Sequence, residues 1–93
     1  DIQLDRSTYQ LSNSEGSTIR LANKEYQMLE MLMTNPGQVI SVDQFMDKIW
    51  GYDSEAEFNV VWVYISYLRK KLSSLHAHVQ IKATRGVGYS LIE

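Results

Sequence analysis

The sequence predicts an α+β fold: a short antiparallel sheet, then three helices, then a closing β-hairpin. Apolar and polar residues alternate over positions 1–21, apolar residues recur at helical spacing through the middle, and alternation returns about a glycine-bearing turn near the end.

Ile2 and Leu4, Tyr9 and Leu11, and Ile19 and Leu21 each have polar neighbours, with turn residues at Asp5-Arg6-Ser7 and Ser12-Asn13-Ser14-Glu15-Gly16. Period two with that punctuation reads as three strands over 1–21 with one face packed. A first helix is expected over 23–35, because Tyr26, Leu29, Leu32 and Met33 share one side and Asn35-Pro36-Gly37 stops it. Met28, Met31 and Met33 read as packing, since methionine at helical spacing fills cores more often than it binds soft metals. Gln38-Val39-Ile40 is β-rich and long enough for one strand segment. Ser41 as N-cap, with Gln44 completing a capping box, opens a second helix over 41–50 that buries Val42, Phe45, Met46 and Ile49.

Residues 51–57 form an acidic connector whose spacing does not match a calcium loop. Glu55 and Glu57 would favour the N-terminus of the next helix through its dipole. That helix, expected over 58–73, puts Phe58, Val61, Ile65, Leu68 and Leu72 in one apolar sector at roughly 100° per residue. Asn59, Val63, Ser66, Tyr67 and Lys70 lie opposite, and the basic run Arg69-Lys70-Lys71 closes the helix. Trp62, at the border of the apolar sector, is expected to pack. After a polar break, 79–92 reads as a hairpin with Arg85 projecting from its Thr84-Arg85-Gly86-Val87-Gly88 tip.

Ninety-three residues make one domain, 1–93, and 44% hydrophobic content with 22% charge is ordinary for a soluble globular chain. The missing initiator Met suggests a piece of something longer. There is no cysteine, which fits a reducing cytoplasm and removes thiolate metal sites. His76 and His78 lack further ligands, and Gly86-Val87-Gly88 sits in a strand-to-strand turn where a dinucleotide fingerprint needs strand-to-helix, so no metal and no cofactor are expected. No grouping of acid, base and nucleophile suggests an enzyme, so no catalytic residue is assigned, and no apolar run is long enough for a membrane. A net charge of −2 would by itself argue against a polyanionic partner. Its distribution reverses that: from Phe58 to Ile92 there are Arg69, Lys70, Lys71, Lys82 and Arg85 and no acid.

In this order the elements describe a winged helix-turn-helix with an N-terminal antiparallel sheet and a C-terminal hairpin wing. In such a motif the later helix enters the major groove and the wing offers an Arg to a narrow minor groove. The strings Leu21-Ala22-Asn23-Lys24-Glu25-Tyr26, Ile49-Trp50-Gly51-Tyr52, Val61 to Leu72 and Thr84-Arg85-Gly86-Val87-Gly88-Tyr89 resemble, in order and spacing, the DNA-binding effector domain of the OmpR/PhoB family of two-component response regulators. The resemblance spans nearly the whole chain. It implies a bacterial transcription factor that binds direct-repeat half-sites of double-stranded DNA as a homodimer, joined to a receiver domain under a sensor histidine kinase. It also implies base-facing roles for Asn59, Val63, Ser66 and Tyr67, phosphate contacts from Trp50, Tyr64, Arg69 and Tyr89, and a minor-groove role for Arg85. Lys70 joins the phosphate contacts by periodicity, and Arg69 to Lys71 as a run read as anchors on the DNA backbone. The loop residues Tyr52, Asp53, Ser54, Glu55 and Glu57 take the position of a surface facing RNA polymerase.

The chain departs from the family pattern where it matters. Asn59 and Tyr67 stand where Arg is common, Trp62 and Tyr64 where Asp and His are, and Ala83 and Ala22 where Thr is usual. Fewer cations on the reading face shift specificity toward uncharged contacts, such as Asn59 with adenine or Val63 with a thymine methyl. The competing expectation is a winged-helix interaction module that docks on a partner protein through Trp62, Tyr64 and Tyr67.

Overall fold

The computed structural model describes residues 1–51 and 59–93. Strands β1 (Ile2–Asp5), β2 (Gln10–Asn13) and β3 (Thr18–Arg20) form an antiparallel sheet in sequence order. Leu4 pairs opposite Leu11 and Leu11 opposite Ile19, so the apolar positions of the alternation form one row, with Leu11 fully buried at its centre. Between β1 and β2 the Asp5 carboxylate accepts from the Ser7 N–H, the Ser7 hydroxyl and the Thr8 N–H. These bonds, the Ser7 hydroxyl foremost, hold the Asp5 carboxyl below its usual range.

Helix α1 (Asn23–Thr34) is capped from one side only. Ala22 has no side-chain acceptor to offer, but the Glu25 carboxylate accepts from the Ala22 N–H at 2.7 Å. After Gly37, strand β4 (Ile40–Ser41) begins two residues beyond the start of the expected 38–40 segment. It is not isolated: Ile40 and Ser41 pair with the last strand of the chain. The second helix starts as α2 (Val42–Phe45) with both halves of its capping box made, Gln44 N–H to Ser41 Oγ at 3.1 Å and Ser41 N–H to Gln44 Oε1 at 2.8 Å. It then widens into a π-helical turn over Met46–Trp50, closed by the Gly51 N–H donating to the Met46 carbonyl at 2.8 Å. Helical periodicity alone gave no sign of this widening.

Helix α3 (Asn59–Ser74) packs Val61, Ile65, Leu68 and Leu72 into the core beside Leu29, Leu32 and Phe45. Phe58, expected in the same sector, lies outside the described residues. The helix ends in paired bonds, Ala77 N–H to the Leu72 carbonyl at 3.1 Å and His76 N–H to the Ser73 carbonyl at 3.0 Å, with His76 left-handed at φ 54°. β5 (Gln80–Thr84) and β6 (Gly88–Ile92) form the hairpin. The sheet order is β4-β6-β5, so the hairpin is three-stranded at its root and β6 is central. Gly88 permits this: a Cβ there would lie 1.9 Å from the Ile40 carbonyl oxygen.

Helices α1 and α3 are also tied by charge. Glu25, only 3% exposed, meets Lys71 Nζ at 2.6 Å, and the same ammonium donates to the Arg20 carbonyl at 3.1 Å.

Candidate nucleic-acid interface

With one side of α3 in the core, the other side is fixed. Asn59, Tyr67 and Lys70 are exposed, and Val63 and Ser66 are half-buried. Ser66 donates its hydroxyl to the Val63 carbonyl at 2.6 Å, so in this state it faces outward as an acceptor. Trp62 does not pack as expected: it is 59% exposed. At about 100° per residue it sits roughly a quarter turn from the middle of the buried sector, which puts the indole outside the core beside Asn59 and Ser66.

Three aromatic rings run from the second helix onto this face. Trp50 and Tyr64 have centroids 5.5 Å apart with planes tilted by 56°, and Tyr64 meets Tyr67 edge-on at 5.7 Å. Lys24 donates to the Ile49 carbonyl at 2.8 Å and holds its ammonium 5.7 Å from the Trp50 ring centroid. The row therefore joins two expected phosphate contacts, Trp50 and Tyr64, to an expected base contact, Tyr67. The spacing of Tyr64 and Tyr67 on one helix was the available sequence signal.

The basic run divides three ways. Lys70 is exposed and has no ion-pair partner among the described residues. Lys71, expected to face outward as a backbone anchor, turns inward to Glu25, because a buried carboxylate recruits the nearest cation. Arg69 donates from Nε and Nη2 to the Ile81 carbonyl at 3.2 and 2.9 Å and lies 5.9 Å from the Tyr89 ring centroid, which leaves Nη1 for a further acceptor.

At the hairpin tip Arg85 is exposed, in a turn closed by the Val87 N–H to the Thr84 carbonyl at 3.0 Å, with Gly86 at φ 76°. Tyr89 is half-buried below it. Tyr52, Asp53, Ser54, Glu55 and Glu57 lie outside the described residues. Among the described residues no three His, Cys, Asp or Glu side chains gather as a metal site would require, and no helix is long and apolar enough to cross a membrane.

A packed helix with a polar and aromatic outer face, braced by a preceding helix and followed by an arginine-tipped hairpin, defines the winged-helix DNA-binding class. Residues 16–91 match the family described as "Transcriptional regulatory protein, C terminal", and the chain belongs to that family, the OmpR/PhoB-type DNA-binding domains. It is 41% identical over 93 residues to the transcriptional regulatory protein DltR of Streptococcus agalactiae serotype III, across 100% of this chain and 41% of that protein. The chain thus spans about two fifths of the length of that relative. Its fold is similar to the DNA-binding domain of Bacillus subtilis CssR, with a TM-score of 0.86 at 22% identity over 98% of this chain and 99% of that one. It is likewise similar to the Klebsiella pneumoniae RstA DNA-binding domain solved with the RstA box, with a TM-score of 0.79 at 28% identity over 98% and 90% of the two chains. The chain is a DNA-binding, transcription-regulating output domain of response-regulator type, and not an enzyme. That places DNA ahead of a protein partner as what the outer face of α3 serves.

Proposed function

We propose that α3 enters the major groove and that the β5–β6 wing reaches the adjoining minor groove. The observation that carries this is the outer face of α3, with Asn59, Tyr67 and Lys70 exposed, and exposed Arg85 on the following hairpin, in a stretch from Asn59 to Ile92 without an acid. Asn59, Val63, Ser66 and Tyr67 face the bases, and exposed Trp62 joins them. Trp50, Tyr64, Lys70 and Tyr89 approach phosphates, as does the remaining Nη1 of Arg69. Arg85 enters the minor groove, where its charge is favoured.

In the same proposal the domain binds direct-repeat half-sites as a homodimer in the cytoplasm. It is joined to a receiver domain phosphorylated through a sensor histidine kinase. Residues Tyr52, Asp53, Ser54, Glu55 and Glu57 meet RNA polymerase. The family match and the RstA complex with its box support the DNA part of the reading.

The test is to select bound duplexes from random DNA and measure two variants on the best one. Asn59→Ala should change the preferred base at one position and cost about 1–3 kcal/mol there. Arg85→Ala should weaken binding to every site with an A·T-rich flank. Sequence-blind losses of equal size in both variants would overturn the assigned reading face.

A further inference from the structure

We infer that Arg69 is a positioning residue for the wing, a strut from the recognition helix that sets where Arg85 reaches. The inference rests on the groove assignments above and revises the weight of one of them. β5 is an edge strand of the β4-β6-β5 sheet, and Arg69 brings two donors to one of its carbonyls, that of Ile81. The guanidinium also lies over Tyr89, which pairs with Ile40 of β4 and Ala83 of β5. One side chain of α3 therefore holds the hairpin near its base and touches its central strand.

The lever is long. Arg85 is four residues beyond Ile81, or about 13 Å at strand rise. A tilt of about 10° at the base would carry the tip by about 2 Å, enough to break a hydrogen bond in the minor groove. A lysine at 69 would keep the charge for a phosphate, yet its ammonium can neither fork onto one carbonyl nor lie flat on a ring. Arg69→Lys therefore separates a strut from a charge contact.

Two measurements test this. In the DNA-free chain, residual dipolar couplings report the orientation of the 80–92 hairpin relative to α3. Arg69→Lys should change or average them while the core keeps its cooperative melt; couplings identical to wild type would overturn the strut. On the selected duplex, adenines under the wing are replaced by 2,6-diaminopurine, which adds an amino group in the minor groove only. Wild type should lose about tenfold, the size of one good base-edge contact. Arg69→Lys should bind the unmodified duplex about tenfold more weakly, lose little more on the modified one, and add less than twofold to Arg85→Ala. Full sensitivity to diaminopurine in Arg69→Lys, or losses that multiply with Arg85→Ala, would assign Arg69 to a phosphate alone. If wild type selects no duplex, the groove reading fails, while the couplings in the free chain still decide the strut.

Discussion

His76 ends α3 in the left-handed region, at φ 54°, where glycine is the usual occupant because its missing Cβ avoids the clash with the carbonyl. His76→Gly should stabilise the chain by about 1 kcal/mol, visible as a rise of several degrees in the thermal midpoint. A lower midpoint would mean that the imidazole makes a compensating contact. Trp62 is the residue whose surroundings the sequence misjudged most. Its place on the helical wheel was readable, but a border position is decided by whether a neighbouring element covers it, and here the indole stays 59% exposed. Asn59, Tyr67 and Lys70 were readable as outward-facing because they stand opposite Val61, Ile65, Leu68 and Leu72, all of which are buried. Periodicity gives the angle of a side chain, and the partner is supplied by the rest of the fold.

At the level of elements, the tie between α1 and α3 is a buried acid answered by a lysine 46 residues away. Glu25 does two things there: it accepts from the Ala22 N–H in place of the missing threonine cap, and it meets Lys71. Lys71→Met should cost about 2 kcal/mol, because the Glu25 carboxylate would remain buried with its charge partner removed. Urea unfolding checks this, and pairing the change with Glu25→Gln should recover part of the loss. Nothing in the local sequence separates Lys71 from Lys70. The same holds for β4, a two-residue strand whose pairing with Tyr89 and Gly88 is long-range, although Gly88 was the one residue small enough to allow it. Both helix caps, by contrast, were legible, since Ser41 and Gln44 act within one turn of each other.

Over the whole molecule, a net charge of −2 conceals a division between an acid-bearing N-terminal half and an acid-free stretch from Asn59 to Ile92. The fold spends part of that positive charge internally: Lys71 neutralises Glu25, and Arg69 is largely committed to Ile81. Lys70, Lys82 and Arg85 remain exposed for phosphates. Affinity should therefore fall with a log–log salt slope of about −3 per bound domain, since each neutralised phosphate contributes about −0.9. Titration over 50–300 mM salt measures it, and a slope twice as steep would mean that the inward cations turn outward on DNA. Specificity then falls to uncharged groups on α3.

The wide turn over Met46–Trp50 can be read as a spare residue. Accommodating one extra amino acid in a helix without breaking it is what a π turn does, so the segment is tolerant in length and intolerant in phase. Removing Asp47 should leave a regular, well-folded α-helix by circular dichroism, while everything after the cut rotates by about 100° and the Trp50 indole leaves Tyr64. Such a deletion would show intact helicity with altered tryptophan emission and weakened DNA binding. In this helix the count of residues, more than their identity, aims the aromatic row.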